Sequence, residues 1–301
     1  MNTKIKVFLL TAWIFSNFSV EAQDDPFKSI RSEPEEIQGM NLVWHDEFNT
    51  DGKPDSSVWI YEKGFVRNQE LQWYQTDNAF CKGGLIIIEG RRQKLANPGY
   101  TSGSTDWKRS REYAEYTSAS IQTRGHQQWQ YGRFEIRARI DTSMGSWPAI
   151  WTLGTGGRWP SNGEIDIMEF YRIKGIPTIL ANVAWGASER GSAKWDSEKP
   201  ALSEFTKKDP DWVKKFHVWR MDWDENDISL FIDNVLINST SLTETINPDG
   251  INPFKQPHYI LLNLALGGNG GDPAKAAFPI KYEVDYVRVY QKKYKEIKYN
   301  N

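Results

Sequence analysis

Residues 163–170, Gly163-Glu164-Ile165-Asp166-Ile167-Met168-Glu169-Phe170, set three carboxylates into an otherwise apolar run. A buried carboxylate carries a large desolvation cost unless it is paired or used, so few folds can hold this segment. Strand side chains alternate between faces with period two. Glu164 and Asp166 then share a face, and Glu169, at an odd offset from both, points away. A β-bulge that absorbs one of Ile167 and Met168 resets the phase, turning all three acids to one side and the apolar residues to the other. The expected element is a bulged strand with one acidic face and one core face.

The rest of the chain supplies strands to pair with it. Residues 131–140 alternate, with Phe134, Ile136, Ala138 and Ile140 on one face and Arg133, Glu135, Arg137 and Arg139 on the other, as a half-buried strand requires. Gly84 to Ile88 reads as a fully buried strand, and residues 228–237 as two strands joined by an Asp233-Asn234 hairpin turn. Residues 259–266 and 282–290 continue the pattern. Helical periodicity is scarce; Asp209 to Phe216 is the one short helix expected. Many strands with turns between them, and no alternation of strand and helix, predict an all-β sandwich or barrel.

Across the bulge, four effective strand steps separate Glu164 from Glu169, roughly 13 Å between Cα atoms at ~3.3 Å per step. Side chains leaning together would bring the carboxyl groups to about 5–6 Å, nearer the separation of a retaining glycosidase than of an inverting one. Asp166 lies between them. Clustered like charges hold at least one proton to higher pH, the state a general acid needs near neutrality. The roles that follow are Glu164 as nucleophile, Glu169 as acid/base, and Asp166 as a partner of Glu164. A solvated acidic strand face and a calcium site are the other readings of this spacing.

These residues resemble glycoside hydrolase family 16, in its laminarinase-like branch. The resemblance rests on Trp159-Pro160-Ser161-Asn162-Gly163 leading into Glu164-Ile165-Asp166-Ile167-Met168-Glu169. Blocks at 42–49, 68–74, 131–135, 145–151, 263–268 and 285–290 fall in the family's order, so the likeness covers roughly residues 41–291. It implies a jelly-roll β-sandwich with a concave substrate cleft, endo-hydrolysis of β-linked polysaccharide with retention, and the same three roles for Glu164, Asp166 and Glu169. It also implies, through Glu47 and Asp285, a structural Ca²⁺ of the kind some members hold; no cofactor is required. One departure is Ala184, in Asn182-Val183-Ala184-Trp185-Gly186, where the family often carries a His. The first expectation for the substrate is a β-1,3- or mixed-linkage β-1,3-1,4-glucan. A β-linked galactan is the alternative, and a non-catalytic sugar-binding protein on the same fold is the rival of another class.

Composition agrees with a carbohydrate partner. The chain of 301 residues carries 14 Trp, 13 Tyr and 14 Phe at a net charge of −2. Indole and phenol rings stack on the C–H faces of sugars and offer N–H and O–H groups to hydroxyls, whereas nucleic acid calls for a basic surface. Trp147 and Trp151 on one strand face, Trp159 at the mouth of the catalytic strand, and Asn68 are the expected substrate-binding residues. The N-terminus, with Lys4, Lys6 and the apolar run Val7 to Phe15, reads as a signal peptide over residues 1–22, giving a secreted or periplasmic protein. A polar lead-in over 23–40, a catalytic domain over 41–291 and a polar tail over 292–301 complete the layout, with no membrane span and a monomer as the expected state. The lone Cys81 cannot form an internal disulfide.

Overall fold

The computed structural model describes residues 33–189 and 191–293. The expected signal peptide, most of the lead-in and the tail beyond Lys293 lie outside the described residues. From Pro34 the described residues form one compact unit.

In chain order the strands are β1 (Met40–Asp46), β2 (Ile60–Tyr61), β3 (Gln72–Tyr74), β4 (Ala79–Lys82), β5 (Leu85–Ala96) and β6 (Tyr113–Ser118). They continue as β7 (Ser120–Gln122), β8 (Gly132–Ile140), β9 (Ser146–Gly154), β10 (Glu164–Ile173), β11 (Ile176–Gly186) and β12 (Ala193–Glu198). The last are β13 (His217–Trp223), β14 (Asp227–Ile232), β15 (Val235–Ser241), β16 (His258–Leu266) and β17 (Ile280–Lys292). Among the described residues these form two large sheets. One runs β15-β14-β13-β8-β17-β5-β6-β3, with β1 also on β17 and β4 on β5; the other runs β12-β11-β10-β9-β16-β7-β2. Pairing is antiparallel except between β3 and β6. The architecture is the jelly-roll sandwich expected from the sequence.

The alternation in β8 falls as its sequence requires. Phe134, Ile136, Ala138 and Ile140 are buried, and the intervening charged residues face outward. There Arg133 pairs with Asp222, Arg137 with Asp285 and Arg139 with Glu283. Between the sheets, Phe134, Ile136, Trp219, Met221, Val287 and Val289 meet Ile150, Ile165, Phe170, Val183, Ile260 and Leu262 in one core. Asp233 and Asn234 take the left-handed conformation (φ 47° and 68°) and close the β14–β15 hairpin. Two-residue hairpins favour that backbone because its twist matches the strands.

The expected helix over 209–216 does not form. Asp209 instead accepts from the Asp211 amide and from Lys215, local bonds that compete with a helix. Only a 3₁₀ turn remains at Trp212–Lys214, with the Trp212 ring stacked on His217 at 3.9 Å. Among the described residues the α-helix found is one short turn, Leu202–Thr206.

Candidate active site

The bulge is present. Against β9, Asp166 pairs with Trp151 and Met168 with Ile150; against β11, Asp166 pairs with Asn182 and Glu169 with Leu180. One extra residue of β10 is thus taken up between Asp166 and Glu169. Ile165, Ile167, Met168 and Phe170 all join the core. Glu164, Asp166 and Glu169 line one cleft of about 920 Å³ on the other face of the sheet. The same alternation governs the neighbouring strands. Ile150, Ile260, Leu262 and Val183 go inward, while Ala149, Trp151, Tyr259, Asn263 and Asn182 line the cleft.

The turn into β10 is fixed by its own residues. The Gly163 amide donates to the Pro160 carbonyl at 3.0 Å, and the buried Asn162 side chain donates to the Gly154 carbonyl at 3.0 Å. Gly163 sits at φ +77°, and a Cβ there would come within 3.0 Å of Pro253 and Phe254. Both the left-handed backbone and the close approach call for glycine. The turn delivers Trp159, whose indole N–H donates to Glu164 Oε2 at 2.7 Å.

Each acid has a donor from a different element. Asn182 Nδ2 donates to Asp166 Oδ2 at 2.8 Å and reaches Glu169 Oε2 at 3.4 Å. Trp147 Nε1 donates to Glu169 Oε1 at 2.6 Å. Burial, then the charges of Asp166 and Glu169, lift Glu164 well above the ordinary carboxylate range, and a hydrogen bond with Asp166 adds to this. Burial and the charge of Asp166 do the same to Glu169, while the Trp147 N–H opposes them. Burial pushes Asp166 up to about 6, against the hydrogen bonds of Asn182 and Glu164. The three acids therefore titrate as a set.

This has a consequence for stability. An acid whose folded pKa is raised keeps a proton that the unfolded chain has released. The stability this confers is complete below the unfolded value of 3.8 and is lost as pH rises through about 6. Asp166→Asn removes a group that is unfavourable when charged at neutrality. It is expected to raise Tm by about 3–6 °C near pH 7 and by much less near pH 4. Equal shifts at the two pH values would contradict the burial account.

All four residues expected to bind substrate, Asn68, Trp147, Trp151 and Trp159, line the cleft, but in different states. Trp159 is 49% exposed, whereas Trp147 and Trp151 are 7% and 8% exposed. Trp151 donates to Asn263 Oδ1 at 2.7 Å, and the Arg67 guanidinium lies 5.0 Å above its ring. Trp147 and Trp151 thus form the floor, with their N–H groups already committed. Asn68 and Gln69 both sit at positive φ, 54° and 53°, a conformation held only where the surroundings enforce it. The long polar loop after Asn97 supplies that support. Asn97 Nδ2 donates to the Lys108 and Arg111 carbonyls, and Arg111 donates to the carbonyls of Gln69 and Glu70.

The sequence reading passed over Arg67, Glu70, Asn182, Trp195 and Asn263, which also line the cleft. Glu70 is buried, accepts from Gln72 at 2.6 Å, and is lifted by that burial. Arg67 is held by Glu62, which also accepts from Ser120. Glu70, Asn182 and Asn263 stand in stretches that carry the family resemblance, but nothing along the chain shows which partners they meet.

The residues named for calcium do not fit a cation. Glu47 accepts from Arg288 Nε at 2.8 Å and from its terminal nitrogen at 2.9 Å, and Asp285 accepts from Arg137 at 2.6 Å. Guanidinium groups thus take both Glu47 oxygens and one of Asp285, oxygens of the kind a hard cation would use. Among the described residues no group of three or more His, Cys, Asp and Glu is placed to hold a metal. Cys81 is buried in β4, and burial raises its thiol to about 12. Asn238, in a glycosylation sequon, is buried and donates to the Ala181 carbonyl. Among the described residues no helix is long and apolar enough to cross a membrane.

Residues 92–288 match the profile of Glycosyl hydrolases family 16. A beta-glucanase of Rhodothermus marinus is 35% identical over 274 residues, covering 83% of this chain and 85% of that protein. A glucan endo-1,3-beta-glucosidase A1 of Niallia circulans is 32% identical over 280 residues; the match takes in 85% of this chain but spans only 38% of that longer protein. Among solved structures is a chain from work on human gut microbiota members that express endo-acting O-glycanases to initiate mucin breakdown. It superposes with a TM-score of 0.78 at 32% identity, covering 87% of this chain and 94% of that one. With a family profile over most of its length and relatives above 30% identity covered over more than four-fifths of the chain, the chain belongs to glycosyl hydrolases family 16.

Proposed function

We propose that the chain is an endo-acting, retaining hydrolase of a β-linked glucan, with β-1,3- or mixed-linkage β-1,3-1,4-glucan as substrate. One observation carries the mechanism: the bulge in β10 sets Glu164, Asp166 and Glu169 on the same cleft face. Glu164 attacks the anomeric carbon while Glu169 gives its proton to the departing glycosidic oxygen, leaving a glycosyl ester on Glu164. Glu169, now a carboxylate, takes a proton from water as that water attacks the same carbon, and Glu164 leaves. For the first step the proton shared by Glu164 and Asp166 must rest on Asp166. Glu164 is then anionic beneath the Trp159 N–H, which favours the charged form and works against the burial that otherwise keeps a proton on Glu164. Glu169 keeps its own proton because it is buried. The charged-then-apolar leader of residues 1–22 supports export.

A β-linked galactan is the second reading. It is favoured by Ala184, which stands in register with Glu164 where the family often carries a His. The two separate on a panel of glucans and galactans with the products sized. Oligosaccharides of several lengths from laminarin or mixed-linkage glucan are expected. Cleavage of galactans alone would replace the substrate, and sugar binding without turnover would replace the mechanism.

A further inference from the structure

The cleft extends past the catalytic strand on the side of the edge strand β12. Glu164 pairs with Ala184 and Ala184 with Trp195; Asp166 pairs with Asn182 and Asn182 with Ser197. Residues opposite one another in an antiparallel ladder stand on the same face. Trp195 and Ser197 therefore face the cleft, and Lys199, two residues on, lines it as well. Two strand spacings put the Trp195 backbone about 10 Å from that of Glu164. Between them Ala184 is fully buried and raises no wall.

These side chains differ from the rest of the aromatic floor. Trp147 and Trp151 are nearly covered and their N–H groups are bonded to Glu169 and Asn263. Trp195 is 47% exposed, and among the described residues its indole N–H has no hydrogen-bond partner; the Lys199 ammonium makes no hydrogen bond or close ion pair, though its charge bears on Glu169. A lone exposed indole means little. This one lies inside the cleft, two strands across from the catalytic acids, beside a hydroxyl and an ammonium that make no hydrogen bond within the chain. An indole face takes the C–H side of a pyranose ring, and the adjacent donors take its hydroxyls.

We propose that β12 carries an additional sugar-binding subsite, in which Trp195 stacks a pyranose ring two strands from Glu164 and Ser197 and Lys199 bind its hydroxyls. The subsite makes the enzyme favour oligosaccharides long enough to reach it. This rests on the hydrolase reading above, and the test separates the two. kcat/KM is measured for wild type, Trp195→Ala and Trp195→Phe on a ladder of oligosaccharides from the preferred glucan. In Trp195→Ala the preference for the longest over the shortest cleaved substrate falls about tenfold, through KM rather than kcat, and Trp195→Phe retains most of it. An unchanged preference in Trp195→Ala overturns the subsite, as does an equal loss on every length with a lowered Tm. If the wild type cleaves no member of the ladder, the hydrolase reading fails instead. Calorimetric titration of the same sugars then decides the subsite: weaker binding of the long sugars to Trp195→Ala supports it, and equal binding overturns it.

Discussion

Glu164→Gln is expected to lower the rate of hydrolysis by at least about 10⁴-fold, the usual order for removing a nucleophile, while oligosaccharide binding stays close to that of the wild type. Gln keeps the size of Glu and can still accept from Trp159 Nε1, now 2.7 Å from the carboxylate. The cleft should therefore keep its shape. The substitution removes the attacking oxygen and nothing else in the floor. It also removes a buried acid whose ionisation is opposed by its surroundings, so the variant should melt no lower than the wild type near pH 7. Turnover and calorimetric affinity, measured on one preparation, check this. Turnover within tenfold of the wild type would take the nucleophile's role from Glu164.

Glu169→Ala is the second large effect. Without its proton the departing sugar oxygen must leave as an alkoxide, and without its base the incoming water is not activated. Activity on polysaccharide should fall about 10²–10⁴-fold. Two conditions should restore part of it. An activated aryl glycoside has a leaving group that does not need protonation, so its cleavage should suffer far less. Azide needs no base, so it should intercept the glycosyl ester on Glu164 and appear in the product as a glycosyl azide. Trp147 would lose the acceptor it holds at 2.6 Å, so Glu169→Gln serves as a control for packing: it keeps that bond and should be as inactive on polysaccharide. No rescue by azide and no gain with aryl glycosides would remove Glu169 from the acid/base role.

Much of this site could be read along the chain because it is built from one strand and its nearest neighbours in sequence. The period-two rule put Glu169 out of phase with Glu164 and Asp166. Only an inserted residue could reconcile the three, and the register shift within β10 is that insertion. Trp147, Ala149 and Trp151 were legible in the same way, since β9 alternates without interruption through them. The core faces of β8 and β16 followed from the same period.

What could not be read depends on which residues meet across strands. Asn182 binds Asp166 because β11 pairs with β10 in one particular register. Asn263 takes the Trp151 N–H from 112 positions along the chain. Arg67 and Glu70 come from a short, irregular stretch with two left-handed residues, where no periodicity indicates which way a side chain turns. Exposure was equally hidden. Nothing in composition distinguishes the covered indoles of Trp147 and Trp151 from the open ones of Trp159 and Trp195. The ion pairs of Glu47 and Asp285 were hidden for a related reason: both residues were carried over by resemblance, without sight of Arg288 and Arg137, which hold them. The absent helix at 209–216 shows the reverse case, in which Asp209 bonds locally and outweighs a weak periodic signal.

The central claim is that Glu164 and Glu169 act on one glycosidic bond from the same cleft face, through a covalent sugar ester. Proton NMR of a fresh digest, recorded before mutarotation, reports the anomer released first. Two displacements at the same carbon predict the β-anomer, followed by slow growth of the α-anomer. Release of the α-anomer first would mean a single displacement by water, and the roles given to Glu164 and Glu169 would fall with it.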